Sequence, residues 1–270
     1  MTDAFELGAY LQRIGHRGAA RPDFATLCAL ATAHAAAIPF ENLDPFCGVP
    51  VQLQPEAIAR KLLHQGRGGY CFEQNMLFAA ALRAVGYTVQ GLIARVLWNQ
   101  PEDAITGQTH MLLLASAGDA RWLTDVGFGS MTLAGALRLE SDVPQPSALE
   151  PFRLLERDGE WRLQACVRGD WLTLYRFDLQ PHEHIDYVVA NHFVSTFPDS
   201  RFVRHLVAAR TAADRRLSLL DREFTVRRPG QEPERRTLRD GAEACHVLER
   251  EFLLHLPDRT GLERRIDLLP

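Results

Sequence analysis

No stretch of this sequence approaches the roughly 20 consecutive apolar residues that a helix needs to cross a bilayer, so no membrane partner is expected. The N-terminus, MTDAFELGAY, carries acidic residues and lacks the basic start and apolar run of a signal peptide, so none is expected there. An excess of positive charge is missing too: 30 Lys and Arg face 34 Asp and Glu, a formal net charge of −4. That balance argues against a general grip on nucleic acid or anionic lipid. Cysteine is sparse, with five thiols at 28, 47, 71, 166 and 245 and no Cys-x-x-Cys pair. An odd, scattered set suits a reducing compartment better than a disulfide framework, so a cytoplasmic protein is expected. His182 and His184 in PHEHID have a His-x-His spacing, but no Cys, Asp or Glu cluster completes a metal site. They are expected on an exposed loop, and no metal is expected. Internal repeats and low-complexity tracts are absent as well.

What is present is ordinary globular material. The 270 residues, 46% hydrophobic and 24% charged, suffice for one large domain or two to three small ones. The first ninety residues read as helical: LGAYLQRIG, then DFATLCALATAHAAA with Asp23 near its start, then QPEAIARKLLHQG between Pro55 and Gly66, then CFEQNMLFAAALRAVG closing on Gly86. The middle turns to short apolar or alternating runs, YTVQGLIARVLW, HMLLLASA, RWLTDVGF, FRLLE, EWRLQACV and WLTLYRFDL. Asp158-Gly159 marks a hairpin there, so 87–180 is expected to be an antiparallel sheet or small barrel. In the last third NHFVSTFPDSRFVRHLVAAR reads as loop followed by strand, EFTVRRPG as strand, and GAEACHVLEREFLLHL as an amphipathic helix of roughly four turns. RRPGQEPERR reads as a charged, solvated turn. Helices, then strands, then a mixed segment make an α+β protein.

Cysteine is the most reactive side chain available, but only as thiolate. Cys28, Cys166 and Cys245 sit in apolar or regular patterns, and Cys47 in a loop without an evident partner, so all four read as structural. Cys71, in RGGYCFEQN, differs. Gly68 and Gly69 before it would let the backbone turn sharply and keep side chains from crowding a substrate. The cysteine then opens a helix, whose free N–H groups favour a thiolate and can receive an oxyanion. From these residues alone Cys71 is either a nucleophile or a small residue filling space at a helix start.

A nucleophilic thiol needs a base, and the base an orienting group. His110 begins HMLLLASA after a polar loop, where it is either that base or a strand-edge histidine satisfied by backbone. Asp125 in LTDVGFG interrupts an apolar strand, which is costly for a carboxylate unless it is paired. The short AGDA turn would hold the two side by side on adjacent strands.

With these residues assembled, the chain resembles the arylamine N-acetyltransferase family. RGGYCFEQN is similar to that family's nucleophile motif, THMLLL to its histidine segment and TDVGFG to its aspartate segment. YLQRIG, IPFENLD and NHFVSTFPDSRF are similar to its other signatures, so the likeness runs from about residue 10 to 205. The resemblance implies a helical domain (1–86) with the nucleophile, a β-barrel domain (87–190) with His and Asp, an α/β lid (191–270), and a cysteine-protease-like core. It implies ping-pong transfer of an acetyl group from acetyl-CoA, a co-substrate rather than a tightly bound cofactor, to an aromatic amine, hydrazine or N-hydroxyarylamine. Cys71, His110 and Asp125 would be the catalytic residues. Gly127, Phe128 and Gly129, with Ser195 and Thr196, would meet the CoA, and Phe40, Val96, Phe128 and Phe193 would line the acceptor pocket. Arg67 and Glu73, flanking the nucleophile, are expected either to pair and brace its loop or to be plain surface charges.

Two rivals share the chemistry: an amide synthase of macrocycle biosynthesis using the same triad with a wider acyl tunnel, and a thiol hydrolase with water or a peptide amine as acceptor. A non-enzymatic metabolite-binding module is the remaining class, and it has no use for all three catalytic residues. Oligomeric state is open, a homo-oligomer included.

Overall fold

The computed structural model describes residues 5–269; the first four residues, part of the stretch read as lacking a signal peptide, lie outside the described residues. The N-terminal part is helical, as its sequence punctuation predicts. Helix α1 (Leu7–Arg13) is followed by α2 (Phe24–Ala37), whose first turn is capped by Asp23 accepting from the Thr26 N–H at 2.8 Å. A two-residue strand, β1 (Phe40–Glu41), and a single turn, α3 (Leu43–Phe46), come next. The segment from Pro55 forms α4 (Pro55–Ala59) and widens into a π-helical turn over Arg60–His64 before Gly66. Helix α5 (Cys71–Val85) starts at the candidate nucleophile and stops at Gly86, whose φ of 111° only glycine adopts easily. Tyr10, Leu27, Leu30, Phe72, Phe78 and Leu82 are fully buried between these helices.

The middle is one antiparallel sheet: β2 (Thr88–Val96), β3 (Gln108–Ala117), β4 (Ala120–Thr124), β5 (Ala136–Arg138), β6 (Phe152–Arg157), β7 (Glu160–Val167) and β8 (Asp170–Phe177). Their order is β5-β4-β3-β2-β8-β7-β6. Beyond β5, Ser141 and Gln145 bridge to Leu154 and Phe152 of β6, so the two edges meet in a nearly closed barrel. Asp158 and Gly159 turn the β6–β7 hairpin, both with positive φ, as the sequence predicts. Leu92, Leu112, Leu123, Leu137, Phe152 and Leu174 fill the interior.

The last third departs from the sequence expectation. NHFVSTFPDSRFVR is not loop and strand but the end of α6 (His184–Thr196) and the short α7 (Arg201–Arg204). The Asp186 carboxylate reaches back to the Glu183 N–H at 2.9 Å, and Tyr187, Ala190 and Val194 sit at helical spacing against the N-terminal core. His184 therefore opens a helix instead of lying in a loop. The expected domain boundary at 190 falls inside α6, which packs on the N-terminal helices and β3.

A second sheet follows, with β9 (Val207–Thr211), β10 (Arg216–Leu220), β11 (Glu223–Arg227) and β12 (Glu234–Thr237) in the order β1-β9-β10-β11-β12. Its edge strand β1 comes from the N-terminal part, pairing Phe40 with Ala209. Helices α8 (Gly241–Arg250) and α9 (Arg259–Asp267) cover its other face around Cys245, Leu248, Phe252 and Ile266. Helix α8 is shorter than four turns: it ends at Arg250, ahead of Leu253 with φ 57°.

Candidate active site

Cys71 is the first residue of α5 and 4% exposed, at the end of the helix where backbone N–H groups have no helical partner. Its thiol donates weakly to the Thr109 carbonyl at 3.7 Å. The two glycines before it act differently from the sequence expectation. A Cβ on Gly68 would lie 2.0 Å from the Pro39 carbonyl oxygen, and one on Gly69 2.6 Å from the Glu73 carboxylate. Neither has a positive φ. They are small so that the nucleophile loop can lie against β1 and α5, not to clear a path for substrate.

The loop is braced by buried charges. Arg67 donates to Glu41 at 2.9 Å and to Asp44 at 2.7 Å, while Lys61 pairs with Asp44 at 2.6 Å and Glu73 at 2.7 Å. Arg67 and Glu73 therefore serve the same loop without pairing with each other. Burial pushes the Glu73 carboxyl up to about 7 against the opposing pull of Lys61.

His110 enters from β3 and Asp125 stands one residue beyond the end of β4. The two strands are joined by a Gly118-Asp119 turn and paired from Ala117↔Ala120 to Leu113↔Thr124. The side chains meet at 2.8 Å, with His110 Nε2 against Asp125 Oδ2. With Nε2 donating to the carboxylate, Nδ1 is the ring nitrogen left for the Cys71 thiol. Burial disfavours a charged imidazole, but the Asp125 carboxylate and its hydrogen bond, with the neighbouring Cys71 sulfur, push His110 up to about 10. Burial would likewise raise the Asp125 carboxyl, yet the charge and hydrogen bond of His110, with bonds from Asn75 and Gly127, hold it below the usual range.

Two members of this network were not foreseen from the sequence. Asn75, one turn after Cys71, donates to Asp125 Oδ1 at 3.0 Å and to the Met111 carbonyl at 2.8 Å, and accepts from the Val126 N–H at 3.2 Å. Tyr175, on β8, donates to Asp125 Oδ2 at 3.1 Å. Asn75 lies within the RGGYCFEQN motif at i+4 from Cys71, on the same helix face, which is the one signal available. Nothing local marks Tyr175.

Cys71 and His110 open into a cavity of about 530 Å³, the size of a small-molecule site. Of the expected site residues, Phe40, Cys71, Val96, His110, Gly127, Phe128 and Gly129 all line it. The Phe128 ring packs edge-on to His110, centroids 5.1 Å apart, walling the imidazole from the side. Gly127 is small for a structural reason: its Cβ would come 2.8 Å from the Cys71 Cα.

Phe193, Ser195 and Thr196 are not brought to the cavity, because the segment is a helix. Phe193 is 50% exposed on the outer face of α6, stacked on Phe197 at 4.9 Å. Ser195 and Thr196 donate to the carbonyls one turn back, Asn191 and His192. The expectation for RRPGQEPERR is also corrected in part: it belongs to the β11–β12 hairpin, and two of its arginines, Arg227 and Arg235, line the cavity. No helix among the described residues is long and apolar enough to cross a membrane.

Comparison with known proteins shows what the whole chain is similar to. Residues 23–260 match the family model described as N-acetyltransferase. An arylamine N-acetyltransferase of Mycobacterium tuberculosis is 44% identical over 273 residues, covering 98% of this chain and 96% of its own. The arylamine N-acetyltransferase / N-hydroxyarylamine O-acetyltransferase of Salmonella typhimurium is 36% identical over 253 residues, covering 93% of this chain and 90% of its own. Among solved structures, Mycobacterium marinum arylamine N-acetyltransferase in complex with CoA superposes with a TM-score of 0.94 at 42% identity, over 98% of this chain and 99% of that one.

Proposed function

The chain belongs to the arylamine N-acetyltransferase family, and from that premise we propose that Cys71, His110 and Asp125 move an acetyl group from acetyl-CoA to an aromatic amine through an acetyl-cysteine. The observation that carries the reading is the His110–Asp125 pair at 2.8 Å beside a helix-opening cysteine, with Cys71 and His110 lining one cavity and Asp125 buried behind the imidazole.

Cys71 gives its proton to His110, which, raised to about 10, holds it as the imidazolium at neutral pH, and in the first half-reaction the thiolate attacks the thioester carbonyl. Asp125 keeps Nε2–H pointed at itself and stabilises the imidazolium that forms. The free N–H groups opening α5 face the developing oxyanion. Collapse breaks the C–S bond to CoA, whose sulfur takes the proton back from His110. In the second half-reaction the amine attacks acetyl-Cys71, gives its proton to His110, and the acetyl C–S bond breaks to restore the thiol. Phe40, Val96 and Phe128 form the apolar walls for the aromatic acceptor, with Gly127 and Gly129 beside the reacting acyl group. Arylhydrazines and N-hydroxyarylamines present the same kind of nucleophile on the same flat ring. The five thiols, all free, support action in the cytoplasm.

Thiol release tests the acceptor dependence. With acetyl-CoA alone the protein should release one equivalent of CoA in a burst, and sustained release should need an arylamine. Equal sustained release with and without the amine would instead make it a thioester hydrolase.

A further inference from the structure

One buried side-chain amide joins three segments that stand far apart in the sequence, YLQRIG, IPFENLD and RGGYCFEQN. Gln74, three residues after Cys71 on α5, is fully buried. Its Nε2 donates to the Pro39 carbonyl at 2.7 Å and the Gly69 carbonyl at 3.1 Å, with the Ile38 carbonyl at 3.3 Å. An oxygen in that place would face three acceptors, so the amide has one orientation and Oε1 is left to accept. His34 Nε2, on α2, supplies that hydrogen bond at 2.6 Å. Its Nδ1 is then the acceptor for the Tyr10 hydroxyl of α1 at 3.0 Å. Burial pulls the His34 imidazole down to about 4, so it stays neutral and keeps this tautomer at neutral pH. The chain Tyr10–His34–Gln74 runs in one direction and ends on backbone carbonyls of two segments that flank the cavity.

Those carbonyls belong to opposite sides of the reaction. Gly69 lies two residues before Cys71, and Pro39 one residue before Phe40, which walls the cavity. Strand β1 and the nucleophile loop run parallel there, bridged at Phe40 and Gly69. The backbone bonds between them are few: the Glu41 N–H to the Gly69 carbonyl at 3.1 Å, and the Gly69 N–H to the Pro39 carbonyl at a long 3.4 Å. The bond from Gln74 is the shorter of these two bonds to the Pro39 carbonyl. The triad has its own tie, because Asn75 joins α5 to Asp125. Gln74 and Asn75, adjacent on α5, therefore serve different halves of the site.

We propose that Gln74, oriented by His34 and Tyr10, is a positioning residue for the acceptor half-reaction: it sets the spacing between Phe40, which walls the aromatic acceptor, and Cys71, which carries the acetyl group. This rests on the acetyl-transfer reading above. A reacting amine must come within about 3–3.5 Å of the acetyl carbon, and a misplacement of about 1 Å can cost about a hundredfold in rate. A clamp between the acceptor wall and the nucleophile loop therefore governs discharge of acetyl-Cys71 more than its formation, whose geometry is set by Cys71, His110 and Asp125.

The test measures two rate constants on each protein by rapid mixing: acetylation of Cys71 by acetyl-CoA, and discharge of acetyl-Cys71 by an arylamine. The ratio of discharge to acetylation is read for the wild type, Gln74→Met, His34→Gln and His34→Asn. Both rates are first-order in folded enzyme, so partial misfolding leaves the ratio unaltered. Gln74→Met keeps the length but has no donor, and its ratio should fall about tenfold. His34→Gln keeps a donor near the Nε2 position and His34→Asn only near Nδ1, while both lose the same ring from its edge contact with Phe78. The ratio should stay within about threefold of the wild type in His34→Gln and fall about tenfold in His34→Asn. An unchanged ratio in Gln74→Met overturns the proposal, as does an equal ratio in the two His34 variants. If Gln74→Met does not fold, the His34 pair decides alone. A wild-type Cys71 that takes no acetyl group would instead sink the acetyl-transfer reading itself.

Discussion

The side-chain amide of Asn75 donates to Asp125 Oδ1 at 3.0 Å, tying the helix that begins with the nucleophile to the acid that orients His110. One residue thereby fixes the two halves of the site relative to each other, since α5 belongs to the helical part and Asp125 to the barrel. Asn75→Ala removes this donor and leaves the buried Val126 N–H unpaired. Stability should fall by about 1–3 kcal/mol in urea unfolding, and turnover should fall with it. Unchanged stability and turnover would mean that Asn75 is a bystander.

Asp125→Asn keeps the volume but cannot hold His110 with Nε2–H pointing inward as a carboxylate does. Turnover should drop by about 10³–10⁴-fold in a protein that still unfolds cooperatively. A near-normal rate in steady-state acetylation would remove Asp125 from the triad.

The His110–Asp125 pair gives stability a definite pH dependence. His110 is raised in the folded protein to about 10, above its ordinary value of about 6.5. Its contribution is therefore fully present below pH about 6.5 and is lost as pH rises towards 10. The stability difference between wild type and His110→Gln, from urea unfolding, should shrink steadily over that range. A difference that grows with pH would show that burial outweighs the carboxylate.

Gly68→Ala forces a methyl group to within 2.0 Å of the Pro39 carbonyl oxygen, so backbone must move. It should destabilise the protein by about 2–3 kcal/mol and impair acetylation of Cys71. Gly135→Ala, whose Cβ meets nothing closer than 3.8 Å, should change stability by less than about 0.5 kcal/mol. Equal effects of the two in thermal unfolding would contradict the packing account of Gly68.

Phe193→Ser tests the reassignment of that side chain. It is half exposed on the outer face of α6, so kcat/KM for a series of arylamines should stay within about twofold of the wild type. A selective loss for bulky amines would return Phe193 to the acceptor pocket.

What the sequence revealed follows from how local each feature is. Helix α5 was bounded correctly by Cys71 and Gly86, and the β3–β4 hairpin by its Gly118-Asp119 turn, because those signals lie within a few residues. Helix α6 was missed because HIDYVVANHFVST is rich in β-branched and aromatic residues of modest helix propensity. Its helicity comes from Tyr187, Ala190 and Val194 docking on a distant core. Phe193, Ser195 and Thr196 went astray with it. Arg227 and Arg235 read as solvated charges because their inward face depends on the register of strands far apart in the chain. Tyr175 was unreadable for the same reason, finding Asp125 across 50 residues.

The central claim, that Cys71 carries the acetyl group between donor and acceptor, is tested most directly by intact-protein and peptide mass spectrometry after mixing with acetyl-CoA and no amine. The account predicts a gain of one acetyl group, located on Cys71, absent from Cys71→Ala and discharged when an arylamine is added. A wild-type protein that binds acetyl-CoA yet gains no mass, or gains it equally in Cys71→Ala, would contradict it.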